Sequence, residues 1–178
     1  TLLKSRPRHV VVVYVESRRI EVLRADRQWR TWQFGRAENH VVPTGEAIFD
    51  CLQKLNLRPQ TPRGSALVLL LSRAFYNFHR EHYPLALAGQ LEQALSYDWP
   101  ENIFHDSDRS VYFAGPAVPV NRHLSVPIFS MPKDTHEKFQ IATNGSSFET
   151  FAVIPSALAL GTLLPALPPS SEQPVLNV

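Results

Sequence analysis

Residues 123–160 read HLSVPIFSMPKDTHEKFQIATNGSSFETFAVIPSALAL, and the reading of this stretch decides the fold. Leu124, Val126 and Ile128 alternate with non-core neighbours, as a strand does, and Phe129 and Met131 extend the apolar run. The polar segment Pro132 to Thr143 reads as a helix, with Asp134 as its cap and Glu137 reaching back to it three residues on. Gly145 suits the left-handed conformation that ends a helix. Phe148 to Ile154 is a second apolar run, and Pro155 to Leu160 opens another helix. A strand–helix–strand unit can lay its two strands side by side in one sheet. Pro127 has no N–H to give a ladder, which predicts an edge position or a bulge for the first of them.

Upstream, His9 to Val15 is almost continuous β-branched sequence, which predicts a central strand buried on both faces. After the turn Glu16-Ser17-Arg18-Arg19, Ile20 to Ala25 alternates as a strand, and Trp29 to Phe34 reads as the third strand of an antiparallel meander. Gly35 to Thr44 reads as irregular. Gly45 to Leu57 reads as a helix with Ile48, Phe49, Leu52 and Leu55 on one face. A breaker-rich loop, Arg58 to Gly64, leads to the apolar strand Ala66 to Leu71. The order β-β-β-α-β opens a ribonuclease-H-like or actin-like lobe, although other α/β folds share it. Beyond it come a short strand at Phe75 to His82, a helix from Pro84 through Tyr97, a break at Asp98 to Asn102, and a strand at Arg109 to Ala114. Gly115 to Asn121 reads as a proline-rich turn. Residues 161–178 hold four of the fifteen prolines and few charges, as a linker does, with irregular or disordered chain from about Pro165.

At 178 residues and 44% hydrophobic, the chain can bury a real core in one domain or two small lobes. Its net charge is +2, and its fourteen arginines are spread along the chain rather than clustered, which argues against a nucleic-acid partner. Cys51 is the sole cysteine, so no internal disulfide can form and a reducing compartment is expected. No signal peptide is visible, and no apolar run approaches the length of a membrane span.

No motif points to catalysis. His79-Arg80-Glu81-His82 lacks the register of a helical metal site, and nothing supplies a third ligand. Asp98, Glu101, Asp106 and Asp108 read as a solvated acidic loop rather than an acid–base pair. Cys51 lies within a helix and reads as a core or helix thiol with no activating partner. Neither a Gly-x-Ser-x-Gly elbow nor a Walker-type phosphate loop is present.

Two groups of residues carry a family resemblance. One is Leu67 to Ser72, then Arg80 to Pro84, the helix at Leu85 to Tyr97 and the acidic Trp99 to Phe104. The other is the opening unit, ending near Asn144-Gly145 and leading into Pro155 to Leu160. Across residues 9 to 162 the chain resembles the actin-like cytoplasmic domain of the type II secretion L protein (GspL) and its type IV pilus relative, the M protein (PilM). The resemblance implies an α/β fold: an actin-like (ribonuclease-H-like) first lobe with a mixed sheet and an inserted smaller α+β subdomain. Residues 1–72 and 148–164 would form the first subdomain, 73–147 the insert, and 165–178 a tail. It also implies a non-catalytic cytoplasmic scaffold of a secretion or pilus machine at the bacterial inner membrane; the alternatives are an actin-like nucleotide-binding ATPase and, ranked last, a ribonuclease-H-like nuclease, for whose metal-holding carboxylates Glu16 is the sole plausible beginning. Expected partners are the assembly ATPase and inner-membrane assembly proteins, with a homodimer possible and membrane reached only through a segment outside this chain. No catalytic, metal or cofactor residue is expected. An active actin-like ATPase cradles phosphates with two glycine-containing strand turns bearing Asp. Here the first such turn is Val13-Tyr14-Val15-Glu16-Ser17, without glycine or aspartate. The expected docking residues are Tyr76, Phe78, Arg80, Tyr97, Trp99 and Phe104, aromatics and an arginine in polar surroundings.

Overall fold

The protein was analysed as a computed structural model, which describes residues 7–59, 61–91, 93, 95, 109–144 and 146–163. Its elements run β1 (His9–Val15), β2 (Arg19–Gln28), β3 (Thr31–Phe34), β4 (Glu38–Val41), α1 (Ile48–Lys54) and β5 (Ser65–Leu71). There follow β6 (Asn77–Pro84), β7 (Ser110–Ala114), β8 (Val118–Val120), β9 (His123–Pro132), α2 (Lys133–Thr143), β10 (Thr150–Pro155) and α3 (Ser156–Leu163). Short 3-10 turns at Arg73–Phe75 and Leu85–Gln90 flank β6.

The larger sheet has the order β10-β5-β1-β2-β3, with β4 also on β2. β1 is antiparallel to β2 and parallel to β5, and β10 is parallel to β5. Two parallel strands, β5 and β10, therefore extend the expected antiparallel meander. In register, Val13 sits between Val22 and Leu69, and Val15 between Ile20 and Leu71. These six side chains are essentially inaccessible and face α1 and α2. The opposite face carries Val10, Val12, Tyr14, Val68 and Leu70, all half-buried. The expected burial of β1 on both faces is thus corrected: one face is sealed by helices and the other is partly open.

The smaller sheet has the order β6-β9-β7, with β8 also on β9. Two expectations fail here. The strands flanking α2 do not lie side by side: β9 belongs to the small sheet and β10 to the large one. Helix α2 thus carries the chain from one sheet to the other. Nor is β9 an edge. It pairs with β6 on one side and with β7 and β8 on the other, and Pro127 falls in the gap between β7 and β8. There its carbonyl accepts the Gly115 N–H at 2.8 Å, so the side that lacks a donor faces an interruption in the neighbouring strand. The proline finds a local edge inside a central strand.

Smaller corrections follow the same logic. Residues 35–44, expected irregular, contain β4, because the ten-residue β2 is long enough to pair with β3 along its end and β4 along its start. The third strand begins at Thr31, and Trp29-Arg30 form the turn before it. Gly115 to Asn121 contains β8. Helix α2 is not capped by Asp134. Its N-cap is Pro132, without a side-chain bond, and Asp134 instead sits in the first turn, 3.5 Å from Lys138. A carboxylate there still complements the helix dipole. Pro84 ends β6, and a 3-10 turn intervenes before the helical residues Leu91, Gln93 and Leu95. Leu87, Leu91 and Leu95 do join the small-sheet core. Gly145, Asp98 to Asp108 and the tail beyond Leu163 lie outside the described residues.

The two sheets meet in one main core, and the small sheet keeps a second cluster around Tyr83, Leu124, Val126 and Ile128. Phe139 of α2 is fully buried, with edge contacts to Phe49 of α1 at 4.9 Å and to Phe75 at 5.2 Å. Phe129 and Met131 of β9 join the same cluster. Phe139→Ala is expected to cost about 3–5 kcal/mol, measured by urea unfolding, because the void cannot collapse across three packed elements. Gly115→Ala is expected to cost about 1–3 kcal/mol. A methyl there would lie 2.7 Å from Pro127 Cγ and 2.9 Å from Leu158 Cδ1, joining β9 and α3 in a clash.

Candidate functional site

The segment after β5 carries three of the six expected docking residues into the seam between the sheets. Tyr76 is only 5% exposed, and its ring stands edge-on to Phe129 at 5.5 Å. Its hydroxyl accepts the Ala157 N–H at 3.4 Å, in the first turn of α3. One side chain therefore touches the small-sheet core and the helix that follows the large sheet. That burial makes Tyr76 a core residue. Phe78, next along β6, is half-buried against Phe129 at 5.3 Å. The guanidinium carbons of Arg73 and Arg80 each lie 5.9 Å from its ring centre. Both arginines are exposed. The seam thus presents an aromatic face bracketed by two cations, each contact contributing about 0.5–1 kcal/mol at an exposed site. Arg73 was not singled out from the sequence, since only the 3-10 turn brings it back over Phe78. Tyr97, Trp99 and Phe104 lie outside the described residues.

The β1–β2 turn is the one that the family resemblance sets against the first phosphate turn of an actin-like ATPase. Glu16 N–H closes it on the Arg19 carbonyl at 2.8 Å. The Arg19 side chain lies 3.3 Å from Glu16 and 3.4 Å from Glu21, so two carboxylates share one cation. Tyr14 donates its hydroxyl to Glu16 at 3.0 Å. Burial, then the Glu16 bond and charge, push the Tyr14 pKa up and hold it as a donor. No residue in this turn has positive φ.

A shallow cleft of about 540 Å³ opens between the C-terminal ends of α1 and α2, lined by Leu55, Leu57, Arg58, Ile141 and Ser146 among others. Its polar, open lining brings no titratable cluster together. His79 and His82, three apart on β6, point to opposite faces of a strand and cannot share a metal. His79 bonds Glu81 instead. Among the described residues no cluster of His, Cys, Asp and Glu is placed to hold a metal, and no helix is long and apolar enough to cross a membrane.

A domain described as the cytoplasmic domain of EpsL, an inner-membrane component of the type II secretion system of Vibrio cholerae, aligns over 92% of this chain and 60% of its own, at 13% identity and TM-score 0.56. A type IV pilus biogenesis complex of PilM and PilN aligns over 91% of this chain and 51% of its own, at 13% identity and TM-score 0.65. The fold is that of the actin-like secretion and pilus proteins. The resemblance read from the residues is matched by the backbone. The actin-like chain described here spans only about half to three-fifths of the length of those structures. No protein-family model and no curated protein matches the sequence.

Cys51 of this actin-like lobe is half-buried on α1, packed against the main core. Burial, then the neighbouring Glu46 carboxylate, push its thiol pKa above the ordinary value. Alkylation by iodoacetamide at neutral pH is expected to run slower than for a free cysteine peptide, with the rate still rising above the ordinary thiol pKa. A rate equal to or above that of the peptide would place a thiolate where the surroundings disfavour one.

Proposed function

We propose that the chain is a non-catalytic scaffold on the cytoplasmic face of a bacterial inner membrane. It would link the assembly ATPase of a type II secretion or type IV pilus machine to inner-membrane assembly proteins. The observation that carries this reading is the β1–β2 turn. An actin-like fold retained with Glu16 and Glu21 set around Arg19 presents two carboxylates where a hydrolase must attract phosphate. The printed descriptions of the structural neighbours, a secretion-system inner-membrane component and a pilus biogenesis complex, support protein partners. The docking surface would be the inserted subdomain, residues 73–147, and its junction with the first. Phe78 with Arg73 and Arg80 would be its aromatic–cationic part, with Tyr97, Trp99 and Phe104 as the further candidates that the sequence offers.

Two measurements test the reading. Titration with magnesium and ATP in a calorimeter is expected to give no binding heat, and tight magnesium-dependent binding would replace the scaffold with a nucleotide-dependent enzyme. Trp99→Ala and Arg80→Ala are expected to weaken binding of the cognate assembly ATPase, Trp99→Ala by about 2 kcal/mol, with the melting temperature unchanged. Full affinity in both variants would remove the inserted subdomain from the interface.

A further inference from the structure

Residues 27–36 read RQWRTWQFGR: three arginines, three aromatics and no acid in ten positions. They form the end of β2, its turn and β3, the outermost hairpin of the large sheet. Antiparallel pairing sets Arg27 opposite Trp32 and Ala25 opposite Phe34, so Arg27, Trp32 and Phe34 project from one face. Trp29 stands at the turn itself. Its side chain is 97% exposed, Phe34 68% and Trp32 40%. Every residue of β3 is exposed, as are Arg30 and Arg36. Arg8, also exposed, is tied to the hairpin where the Arg27 N–H meets its carbonyl at 2.7 Å. The adjoining acids are engaged elsewhere: Asp26 with His9 at 2.6 Å and Glu38 with Arg24 at 2.5 Å. Among the described residues no ion pair reaches Arg8, Arg27, Arg30 or Arg36.

The backbone adds a second observation. Trp29 holds φ at +57°, the left-handed region that glycine or asparagine fills at least cost in such a turn. A bulky side chain there is strained and makes no compensating contact within the fold, since almost none of it is covered.

We propose that this hairpin docks on an anionic lipid bilayer. Tryptophan and phenylalanine settle at the headgroup level of a membrane, where an amphipathic ring is half dry and half wet. Unpaired arginines beside them meet the negative surface of acidic phospholipids. A partner protein would need a pocket to bury an aromatic anchor, and Trp29 projects from a turn rather than lining a groove. A bilayer accepts a projecting tip without any such pocket. The inference stands apart from the assembly-machine reading, because it needs no protein partner and neither one's failure decides the other.

The test is flotation of the whole 178-residue chain with vesicles of phosphatidylglycerol and phosphatidylcholine, against vesicles of phosphatidylcholine alone. Binding is expected only to the anionic vesicles, and it weakens as salt is raised. Trp29→Gly removes the anchor while relaxing the turn, so it keeps or raises the melting temperature, yet it lowers the partition coefficient several-fold. Arg30→Gln and Arg36→Gln each lower it about fivefold. Absence of binding to phosphatidylglycerol at low salt overturns the proposal, as does equal binding to the neutral vesicles. Undiminished binding of Trp29→Gly also overturns it. Displacement by inorganic phosphate beyond the effect of chloride at equal ionic strength would make the site a phosphate pocket and overturn the bilayer. A Trp29-dependent self-association seen by light scattering in place of vesicle binding would assign the hairpin to a protein contact instead.

Discussion

The structure depends on the burial of Phe139. This ring comes from the helix that carries the chain from the small sheet back to the large one. It meets Phe49 from the helical crossover of the large sheet and Phe75 from the entrance to the small one. Edge-to-face contacts orient the rings as well as holding them, because the positive edge of one faces the negative face of the other. The two sheets are therefore joined through one main cluster, beside which the small sheet keeps its own. Tyr76 fastens the same seam from the other side, its ring on Phe129 and its hydroxyl on the Ala157 N–H.

That arrangement leaves the large sheet asymmetric. Helices α1 and α2 cover the face built from Val13, Val15, Val22, Leu67, Leu69 and Leu71, and those side chains are almost completely buried. The opposite face keeps Val12, Leu23, Val68 and Leu70 only half-buried. Toward β3 the cover thins further, until Trp32 and Phe34 on that same face stand exposed. An exposed sheet margin is a liability that a fold manages with charge, and here the arginines of the hairpin supply it. The same residues equip the margin for an anionic surface.

Function in this lobe follows from what its turns hold. A phosphate loop needs backbone N–H groups converging on an anion, and the β1–β2 turn holds a carboxylate–guanidinium–carboxylate cluster instead. Among the described residues two exposed surfaces are aromatic and cationic: Phe78 between Arg73 and Arg80, and the hairpin tip at Trp29.

Sequence by itself determined the elements whose signal is local. The β-branched run at His9 to Val15, the apolar run ending at Leu71, the helices over Ile48 to Lys54 and Lys133 to Thr143, and the resemblance to actin-like secretion and pilus proteins were all legible there. Aromatic residues with an arginine in the inserted segment were legible as a group. Which of them face solvent was not, and only packing put Tyr76 inside and brought Arg73 over Phe78. Tertiary structure alone also decided that β9 and β10 part into different sheets, because hydrophobic alternation says that a strand forms and nothing about its neighbour. The Pro127 position, the four-residue β4 and the covered face of β1 belong to the same class. Each depends on where another strand ends or where a helix lies, and that information resides in pairing and packing across the chain rather than in any window of residues.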